Sequence, residues 1–201
     1  MTRPPCVFID RDGVVTALVA DPNSGRHESP FRPADEMLEP GAVGALNELA
    51  RADYPLIGVS NQPAAAKGLV KLERLEAVQR RVEILLEEAD VQFDAFEICP
   101  HHPHGVVASL TCSCPCRKPS AGMLLAPTAR LGIDLGESWM IGDTDTDIDA
   151  GRAAGTRTAL VLNAASSHKR RGSPYADLVA ADLAEAVELI LGRRWRACST
   201  A

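Results

Sequence analysis

Short apolar runs alternate with longer segments of helical periodicity along the chain. The apolar runs predict strands at residues 7–9, 56–59, 95–98, 139–141 and 158–162. The periodic segments predict helices at about 41–52, 72–89, 121–131, 145–154 and 183–191. Because strands that alternate with helices are typical of an α/β fold, we predict a Rossmann-like, doubly wound and mainly parallel sheet.

Polar turns follow three of the predicted strands, at Asp10, Ser60 and Gly142. The carboxyl ends of parallel strands form the ligand crevice of an open α/β sheet, so these turns are expected to meet at one site. Two segments, 21–35 and 100–120, are irregular in pattern. Loops of this length in a compact domain tend to be functional or mobile.

Two acidic clusters stand at these turns. Asp10 and Asp12 follow the first strand, and Asp143, Asp145 and Asp147 follow the fourth. Burying like charges together is unfavourable unless a cation offsets the repulsion, and oxygen ligands at a strand end suit Mg²⁺. Either cluster alone is also explained as an Asp-rich turn that caps the next helix. Two clusters on one side of one sheet favour a metal-assisted site.

Four short motifs occur in order across nearly the whole chain. Their residues are Asp10 and Asp12, Ser60, Lys118, and finally Gly142, Asp143 and Asp147. They resemble the Asp-x-Asp, the Ser or Thr, the Lys and the Gly-Asp-x-x-x-Asp of the haloacid dehalogenase superfamily of phosphatases. One motif would be weak support, but four in the right order imply a phosphatase of this superfamily.

The resemblance implies a reaction in which a carboxylate attacks phosphorus. Asp10 is the implied nucleophile, which forms an aspartyl-phosphate. Asp12 is implied to protonate the leaving oxygen and then to deprotonate the water that cleaves the intermediate. Mg²⁺ is implied between Asp10, the main-chain carbonyl of Asp12 and Asp143, where it offsets repulsion between a carboxylate and a phosphate dianion.

The other matched residues are implied to hold the phosphate in place. Ser60 and Lys118 are implied to bind the transferring phosphoryl oxygens. Asp147 is implied to orient Lys118 or a metal-bound water from outside the set of metal ligands. Taken alone, Lys118 would be an ordinary solvated charge, so these roles depend on the resemblance.

Four of the six cysteines cluster in one stretch that also holds three histidines. Cys99 and His101 form a Cys-x-His arm, and a Cys-x-Cys arm follows, which together supply the four ligands of a closed, structural zinc site. The second arm is either Cys114 and Cys116, which we prefer because they directly precede the Arg-Lys-Pro segment, or Cys112 and Cys114. Free thiols in a polar loop and a disulfide are the alternatives.

This zinc loop, at about 99–118, narrows the resemblance to the heptose-bisphosphate and histidinol-phosphate phosphatases of the superfamily. Their loop also precedes Arg-Lys-Pro. In that group the Asn-Gln after the second motif and the Arg of Arg-Lys-Pro contact substrate, which implies the same for Asn61, Gln62 and Arg117. The chain departs from the group where Pro-Ala replaces Ser-Gly after Asn-Gln.

The chain leaves no room for a cap domain. The segment 15–41 is too short, and 62–99 is accounted for by a helix and a strand, so we expect a single capless domain over residues 1–201 with an open site. The cations Arg117, Lys67 and Arg32 favour a sugar bisphosphate, and the resemblance implies a heptose 1,7-bisphosphate that loses its 7-phosphate. Histidinol phosphate, whose ammonium favours acidic neighbours, or another small sugar phosphate is the alternative substrate, and a non-catalytic zinc module is the alternative class of function.

Charge and composition exclude several partners. With 21 Lys+Arg against 27 Asp+Glu, the net charge of −6 argues against nucleic-acid binding, and the basic cluster 169–171 is expected to be a solvated loop. No apolar run approaches the roughly 18–20 residues of a membrane span, and charge interrupts the N-terminus too soon for a signal peptide. We therefore expect a cytoplasmic enzyme, monomeric or weakly oligomeric, that acts on a small phosphorylated metabolite and on neither nucleic acid nor membrane.

Overall fold

The alternating pattern of the sequence folds into a sheet with helices on both faces. The computed structural model describes residues 3–21, 25–172 and 175–198, with 193–198 described by their backbone. The strands are β1 (Val7–Ile9), β2 (Val19–Ala20), β3 (His27–Glu28), β4 (Leu56–Asn61), β5 (Ala95–Cys99), β6 (Trp139–Gly142), β7 (Arg157–Val161) and β8 (Leu178–Ala180). The α-helices are α1 (Ala42–Arg51), α2 (Leu72–Glu88), α3 (Gly122–Leu131), α4 (Asp145–Ala154) and α5 (Leu183–Cys198). Short 3₁₀ turns occupy Pro33–Asp35, Ala108–Leu110, Leu135–Glu137 and Ala164–Lys169.

Within these described ranges, six strands form one sheet in the order β5-β4-β1-β6-β7-β8. Every neighbouring pair in this sheet is parallel. The chain runs outward from β1 through β4 to β5, and then crosses to β6 on the other side of β1. This change of direction opens a crevice at the carboxyl ends of the central strands. The predicted α/β fold with a doubly wound, mainly parallel sheet is confirmed.

Alternate residues of the central strands face two separate cores. Val7 and Ile9 of β1 pack with α1, α5 and the second half of α2. Phe8 between them faces the other way and packs with α3 and α4. Burial on both faces explains why these strands appear in the sequence as continuous apolar runs and not as alternating ones.

Three elements differ from the sequence-based expectation. β4 extends through Ser60 and Asn61, because these polar residues still pair with Ile98 and Cys99 of β5. β8 is a three-residue strand at the sheet edge and too short to leave a pattern. The irregular segments contain β3 and 3₁₀ turns, and residues 22–24 of the first lie outside the described part of the chain.

No described helix combines the length and the apolar character needed to span a membrane.

Helix α4 lies very close to the sheet at Gly151. A Cβ atom at this position would lie 2.7 Å from the Cβ of Met140 and 2.8 Å from Cγ2 of Thr158. These neighbours belong to β6 and β7 and cannot swing away like the end of a long side chain. Because α4 begins with Asp145 and carries Asp147 in its first turn, this close packing sets the position of acidic residues at the crevice.

We expect Gly151→Ala to push α4 away from the sheet and to lower the free energy of unfolding by about 1–3 kcal/mol. Gly44→Ala is the matched control, because Gly44 is a helical glycine of α1 with no atom within 4 Å of an added Cβ. Its expected effect has the opposite sign, a gain of about 0.5–1 kcal/mol from the higher helix propensity of alanine. Urea unfolding of both variants measures the difference, and equal effects would contradict this account of α4.

Candidate active site

The crevice at the ends of β1, β4 and β6 holds a cavity of about 1330 Å³. It contains the catalytic, phosphate-binding and magnesium-binding residues that the sequence predicts, together with candidate substrate contacts. The members that line it are Asp10, Asp12, Ser60, Asn61, Gln62, Lys67, Arg32, Arg117, Lys118, Asp143 and Asp147. Residues separated by more than a hundred positions in the sequence therefore meet at one end of the sheet.

Lys118 is buried at the centre of this site. Its ammonium lies 2.8 Å from Oδ1 of Asp10 and 2.6 Å from Oδ1 of Asp147, and it donates a hydrogen bond of 2.7 Å to the carbonyl of Val59. Burial lowers the pKa of Lys118, but the two carboxylates outweigh burial and hold that pKa above its ordinary value. The side chain is therefore a fixed positive charge that places Asp10.

Three carboxyl groups meet beside Lys118. Oxygen atoms of Asp10, Asp143 and Asp147 all lie within 4.8 Å of one another. Burial, followed by the charge of Asp147, raises the pKa of Asp10 and raises that of Asp143 to about 7. Because Lys118 is a single cation, these carboxylates together carry excess negative charge.

The donor set fits Mg²⁺. Oδ1 of Asp143 is buried and has no hydrogen-bond partner among the described residues, so this oxygen is available to bind a metal ion. All the side-chain donors are carboxylate oxygens, the type that Mg²⁺ prefers. That the main-chain carbonyl of Asp12 is a further Mg²⁺ ligand stays a prediction.

Two glycines make room for this cluster. Gly13 has a φ of 86°, and a Cβ there would lie 2.3 Å from Oδ2 of Asp143. A Cβ at Gly142 would lie 2.2 Å from Cβ of Asp147, which itself accepts hydrogen bonds from the amide and hydroxyl of Thr144 at the start of α4. Because glycine has no Cβ, the backbone at Gly13 and Gly142 can approach these carboxylates closely.

Asp12 points toward a set of hydrogen-bond donors that we name the Asp12 cradle, formed by Arg11, Thr16, Ser29 and Gln62. Its two oxygens accept from Nε and Nη2 of Arg11 at 3.0 and 3.1 Å and from Nε2 of Gln62 at 2.5 Å. The hydroxyls of Ser29 and Thr16 donate at 2.9 and 3.3 Å. Burial raises the pKa of Asp12, but Arg11 and the other donors outweigh it and leave that pKa below its usual range.

The side-chain amides of Asn61 and Gln62 bind other parts of the protein. Nδ2 of Asn61 donates to the carbonyl of Lys118 at 3.0 Å, and Oδ1 of Asn61 accepts from the amide of Lys118 at 3.1 Å. Nε2 of Gln62 donates to Asp12 and, at 2.9 Å, to the hydroxyl of Ser60. Although both residues line the cavity, these contacts position Lys118, Asp12 and Ser60.

The candidate cations differ in their surroundings. Arg32 forms two hydrogen bonds of 2.8 and 2.9 Å with Asp35, so its charge is already balanced. Arg117 donates to the carbonyl of His101 at 3.2 Å and lines the cavity. Lys67 is exposed at the cavity wall.

A second cluster lies in the loop before Lys118. The ligand atoms of Cys99, His101, Cys114 and Cys116 lie within 4.8 Å of one another, and Sγ of Cys99 and Sγ of Cys116 are 3.0 Å apart. These cysteines are free thiols, not a disulfide. Cys112 is exposed and stands outside this group. The geometry therefore brings together the ligand set that includes both Cys114 and Cys116.

Comparisons with known proteins agree with this site. A family model described as HAD-hydrolase-like matches residues 115–186. The D-glycero-β-D-manno-heptose-1,7-bisphosphate 7-phosphatase of Yersinia pestis is 32% identical over 94% of this chain and 96% of its own length. The chain belongs to the haloacid dehalogenase-like phosphatases.

Other members of this phosphatase family match over almost the same span. The Escherichia coli K12 protein of the same name is 31% identical over 92% of this chain and 93% of its own length. The crystal structure of D,D-heptose 1,7-bisphosphate phosphatase from B. bronchiseptica, complexed with magnesium and phosphate, has a TM-score of 0.77 and 29% identity. That alignment covers 94% of this chain and 99% of the other.

Several residues of this phosphatase contact the site although the sequence did not predict them there. Arg170 was expected in a solvated loop, but that expectation is wrong: its guanidinium is half-buried and donates to the carbonyl of Asp143 at 3.0 Å. Arg11, Ser29 and Thr16 of the Asp12 cradle are likewise new. Nothing in their spacing distinguishes them, because the loops that carry them have no period.

Glu36 is a buried carboxyl group of the phosphatase that lies outside the cavity lining. It follows the 3₁₀ turn Pro33–Asp35, is 4% exposed, and neither of its oxygens has a hydrogen-bond partner among the described residues. Burial raises the pKa of Glu36 from 4.5 to about 8, although the nearby charge of Arg11 lowers it. The folded protein therefore holds this proton more tightly than the unfolded chain does.

The contribution of Glu36 to stability is full below pH 4.5 and is lost as the pH rises to about 8. We expect Glu36→Gln, which cannot ionise, to gain more than about 1 kcal/mol relative to the parent protein between pH 5 and pH 8.5. Urea unfolding at the two pH values measures this change. An equal pH dependence of the two proteins would contradict the raised pKa.

Proposed function

We propose that this phosphatase removes the 7-phosphate of D-glycero-D-manno-heptose 1,7-bisphosphate through an aspartyl-phosphate on Asp10. The observation that carries the proposal is the position of Asp10, held by the Lys118 ammonium at 2.8 Å and grouped with Asp143 at the floor of an open cavity. Relatives that match nearly the whole chain are named as heptose-1,7-bisphosphate 7-phosphatases, and this supports the choice of substrate.

The first half of the reaction transfers the phosphoryl group to the protein. A carboxylate oxygen of Asp10 forms a bond to phosphorus while the bond from phosphorus to the sugar oxygen breaks. Asp12 is a carboxylate in the free protein, and the negative charge of a bound phosphate favours its protonation. The protonated carboxyl group gives its proton to that leaving oxygen and becomes a carboxylate again. Ser60 donates a hydrogen bond to the phosphoryl oxygens, and the Lys118 ammonium binds them through its charge or by exchanging one of its three present contacts for a phosphoryl oxygen.

The second half returns the protein to its starting state. The Asp12 carboxylate takes a proton from water, and the water oxygen forms a bond to phosphorus as the bond to Asp10 breaks. Asp10, Asp143 and the main-chain carbonyl of Asp12 would hold Mg²⁺. When bound, Mg²⁺ supplies neutralisation of the phosphate charge that Asp10 must approach. Asp147 acts by holding Lys118 through its 2.6 Å ion pair.

The charges of the cavity wall support a bisphosphate over histidinol phosphate. Among the described residues of that wall, Glu28 is paired with Lys169 at 2.9 Å and Asp35 with Arg32, which leaves less acidic charge to meet an ammonium. Arg117 and Lys67 supply positive charge for a second phosphate. We propose that they bind it, and that the chain is a single capless domain, monomeric or weakly oligomeric, which acts in the cytoplasm.

Asp10→Asn is expected to lower phosphate release by about 10³-fold or more, because an amide cannot form the acyl phosphate. Asp149→Asn is the matched control, since Asp149 is an exposed carboxylate of α4. The measurement is a phosphate-release screen over both anomers of the heptose bisphosphate, histidinol phosphate and common sugar phosphates, with Mg²⁺. Release that persists in Asp10→Asn would overturn the mechanism, whereas a preference for histidinol phosphate would overturn the substrate alone.

We further propose that Zn²⁺ folds the loop 99–118. Cys99 is the last residue of β5, Cys116 lies two residues before Lys118, and Arg117 between them is tied to the carbonyl of His101. The four clustered donors are the soft and borderline atoms that a tetrahedral zinc site requires. Such a site would hold Arg117 and Lys118 in place without taking part in the reaction.

Cys114→Ser is expected to reduce bound zinc and to lower activity even with excess Mg²⁺, because the loop loses a ligand. Cys112→Ser, at the exposed thiol outside the cluster, is expected to keep both zinc and activity. Metal analysis together with phosphate release checks the pair. Full activity in a zinc-free preparation, or zinc loss in Cys112→Ser but not in Cys114→Ser, would refute the assignment.

A further inference from the structure

The guanidinium of Arg11 is buried, and most of its hydrogen bonds go to Asp12. Its side chain is 1% exposed, and two of its three nitrogens donate to the two oxygens of Asp12 at 3.0 and 3.1 Å. The third nitrogen, Nη1, donates to Oε1 of Gln79 at 3.0 Å. Burying an arginine is unfavourable unless its charge and its N–H groups are matched, so this arrangement is a specific one.

Asp12, Glu36 and Asp10 are buried carboxyl groups whose charges act on Arg11, and the guanidinium donates its described carboxylate hydrogen bonds to Asp12. Glu36 lies close enough for the charge of Arg11 to act on it, yet its oxygens accept no hydrogen bond among the described residues. The donors of Arg11 that face a carboxylate go to Asp12. If Arg11 served only to neutralise buried negative charge, it would not need to hydrogen-bond Asp12 in preference to Glu36.

The contact fixes the orientation of Asp12 as well as its charge. A guanidinium that donates from two nitrogens to the two oxygens of a carboxylate holds both groups near one plane, which a lysine ammonium cannot do. Gln79, on helix α2, holds the far side of the guanidinium. Ser29, Thr16 and Gln62 add further donors from other segments.

We propose that Arg11, held by Gln79, is a positioning residue that orients Asp12 for proton transfer to the leaving oxygen and from the attacking water. This inference rests on the proposed function, in which Asp12 is the acid and base. As the phosphorus–oxygen bond breaks, the Asp12 proton moves to the leaving oxygen. Arg11 then donates hydrogen bonds to the carboxylate that remains. In the second half, the same orientation directs that carboxylate to the water, and the proton returns to Asp12.

The proposal makes the effect of Arg11 depend on the leaving group. A sugar alkoxide needs a proton to leave, whereas p-nitrophenolate leaves readily without one. Disturbing the orientation of Asp12 should therefore slow transfer of the phosphoryl group to Asp10 much more from a sugar phosphate than from p-nitrophenyl phosphate, whereas the later attack of water is common to both substrates. A purely structural defect would slow both reactions by the same factor.

The test compares kcat/KM for p-nitrophenyl phosphate with kcat/KM for the sugar phosphate that is hydrolysed fastest in the screen above, in three variants. This parameter covers the steps up to departure of the leaving group and leaves out the attack of water that both substrates share. Arg11→Lys keeps the charge but cannot donate to both Asp12 oxygens from two nitrogens of one plane. Gln79→Leu removes the support of Arg11 together with the hydrogen bond from Gln79 to Glu83, and Glu83→Ala removes that second hydrogen bond alone. We expect Arg11→Lys to lower kcat/KM for the sugar phosphate about 10-fold or more. Gln79→Leu should lower it less, Glu83→Ala should leave it unchanged, and p-nitrophenyl phosphate should lose less than about 3-fold throughout.

Equal losses on both substrates, or no loss on either, would overturn the role of Arg11. If Arg11→Lys does not fold, Gln79→Leu decides the question by the same criterion. Asp12→Asn separates this inference from the proposed function. If Asp12→Asn also affects both substrates equally, the acid–base assignment of Asp12 fails; if it is selective and the Arg11 and Gln79 variants are not, only the role of Arg11 fails.

Discussion

The ion pairs of one buried ammonium organise this active site. Lys118 is 2% exposed and lies between Asp10, which follows the central strand, and Asp147, on the first turn of α4. Without this cation the buried carboxylates of Asp10 and Asp147 would lose the ion pairs that offset their repulsion. With it, negative charge still exceeds positive charge, which is the condition that favours both a divalent cation and ordered binding of a phosphate.

The sheet supplies the geometry that these charges need. Because β1 pairs with β4 on one side and with β6 on the other, the residues that end these strands face one crevice. Close packing then limits their freedom, since Gly151 holds α4 against β6 and Gly13 and Gly142 bring backbone up to the carboxylates. Small residues at these points are part of the site as much as the charged ones are.

The sequence predicted the parts of the molecule that have a period or a motif. The continuous apolar runs of β1 and β6 indicated strands buried on both faces, and the carboxylates that follow them pointed to one acidic centre. What it missed depends on contacts between distant loops. Arg11 looks like an exposed turn residue until Asp12 and Gln79 surround it, and Arg170 looked solvated until its contact with the Asp143 carbonyl was visible. The substrate contact of Asn61 stays a prediction, but the sequence did not show that its side-chain amide also binds the main chain of Lys118.

The pairing of Asn61 with Lys118 also bears on how this enzyme fluctuates. The side-chain amide of Asn61 donates to and accepts from the main chain of Lys118, as a peptide group of a neighbouring strand would. The last residue of β4 therefore extends the hydrogen bonding of the sheet to Lys118. Lys118 follows a long irregular loop, but its amide is held by a strand. Exchange of that amide with solvent would then follow the slow opening of the sheet and not the faster motion of the loop. Lys118 is therefore expected to move with the rigid sheet, although in sequence it follows one of the least regular segments of the chain.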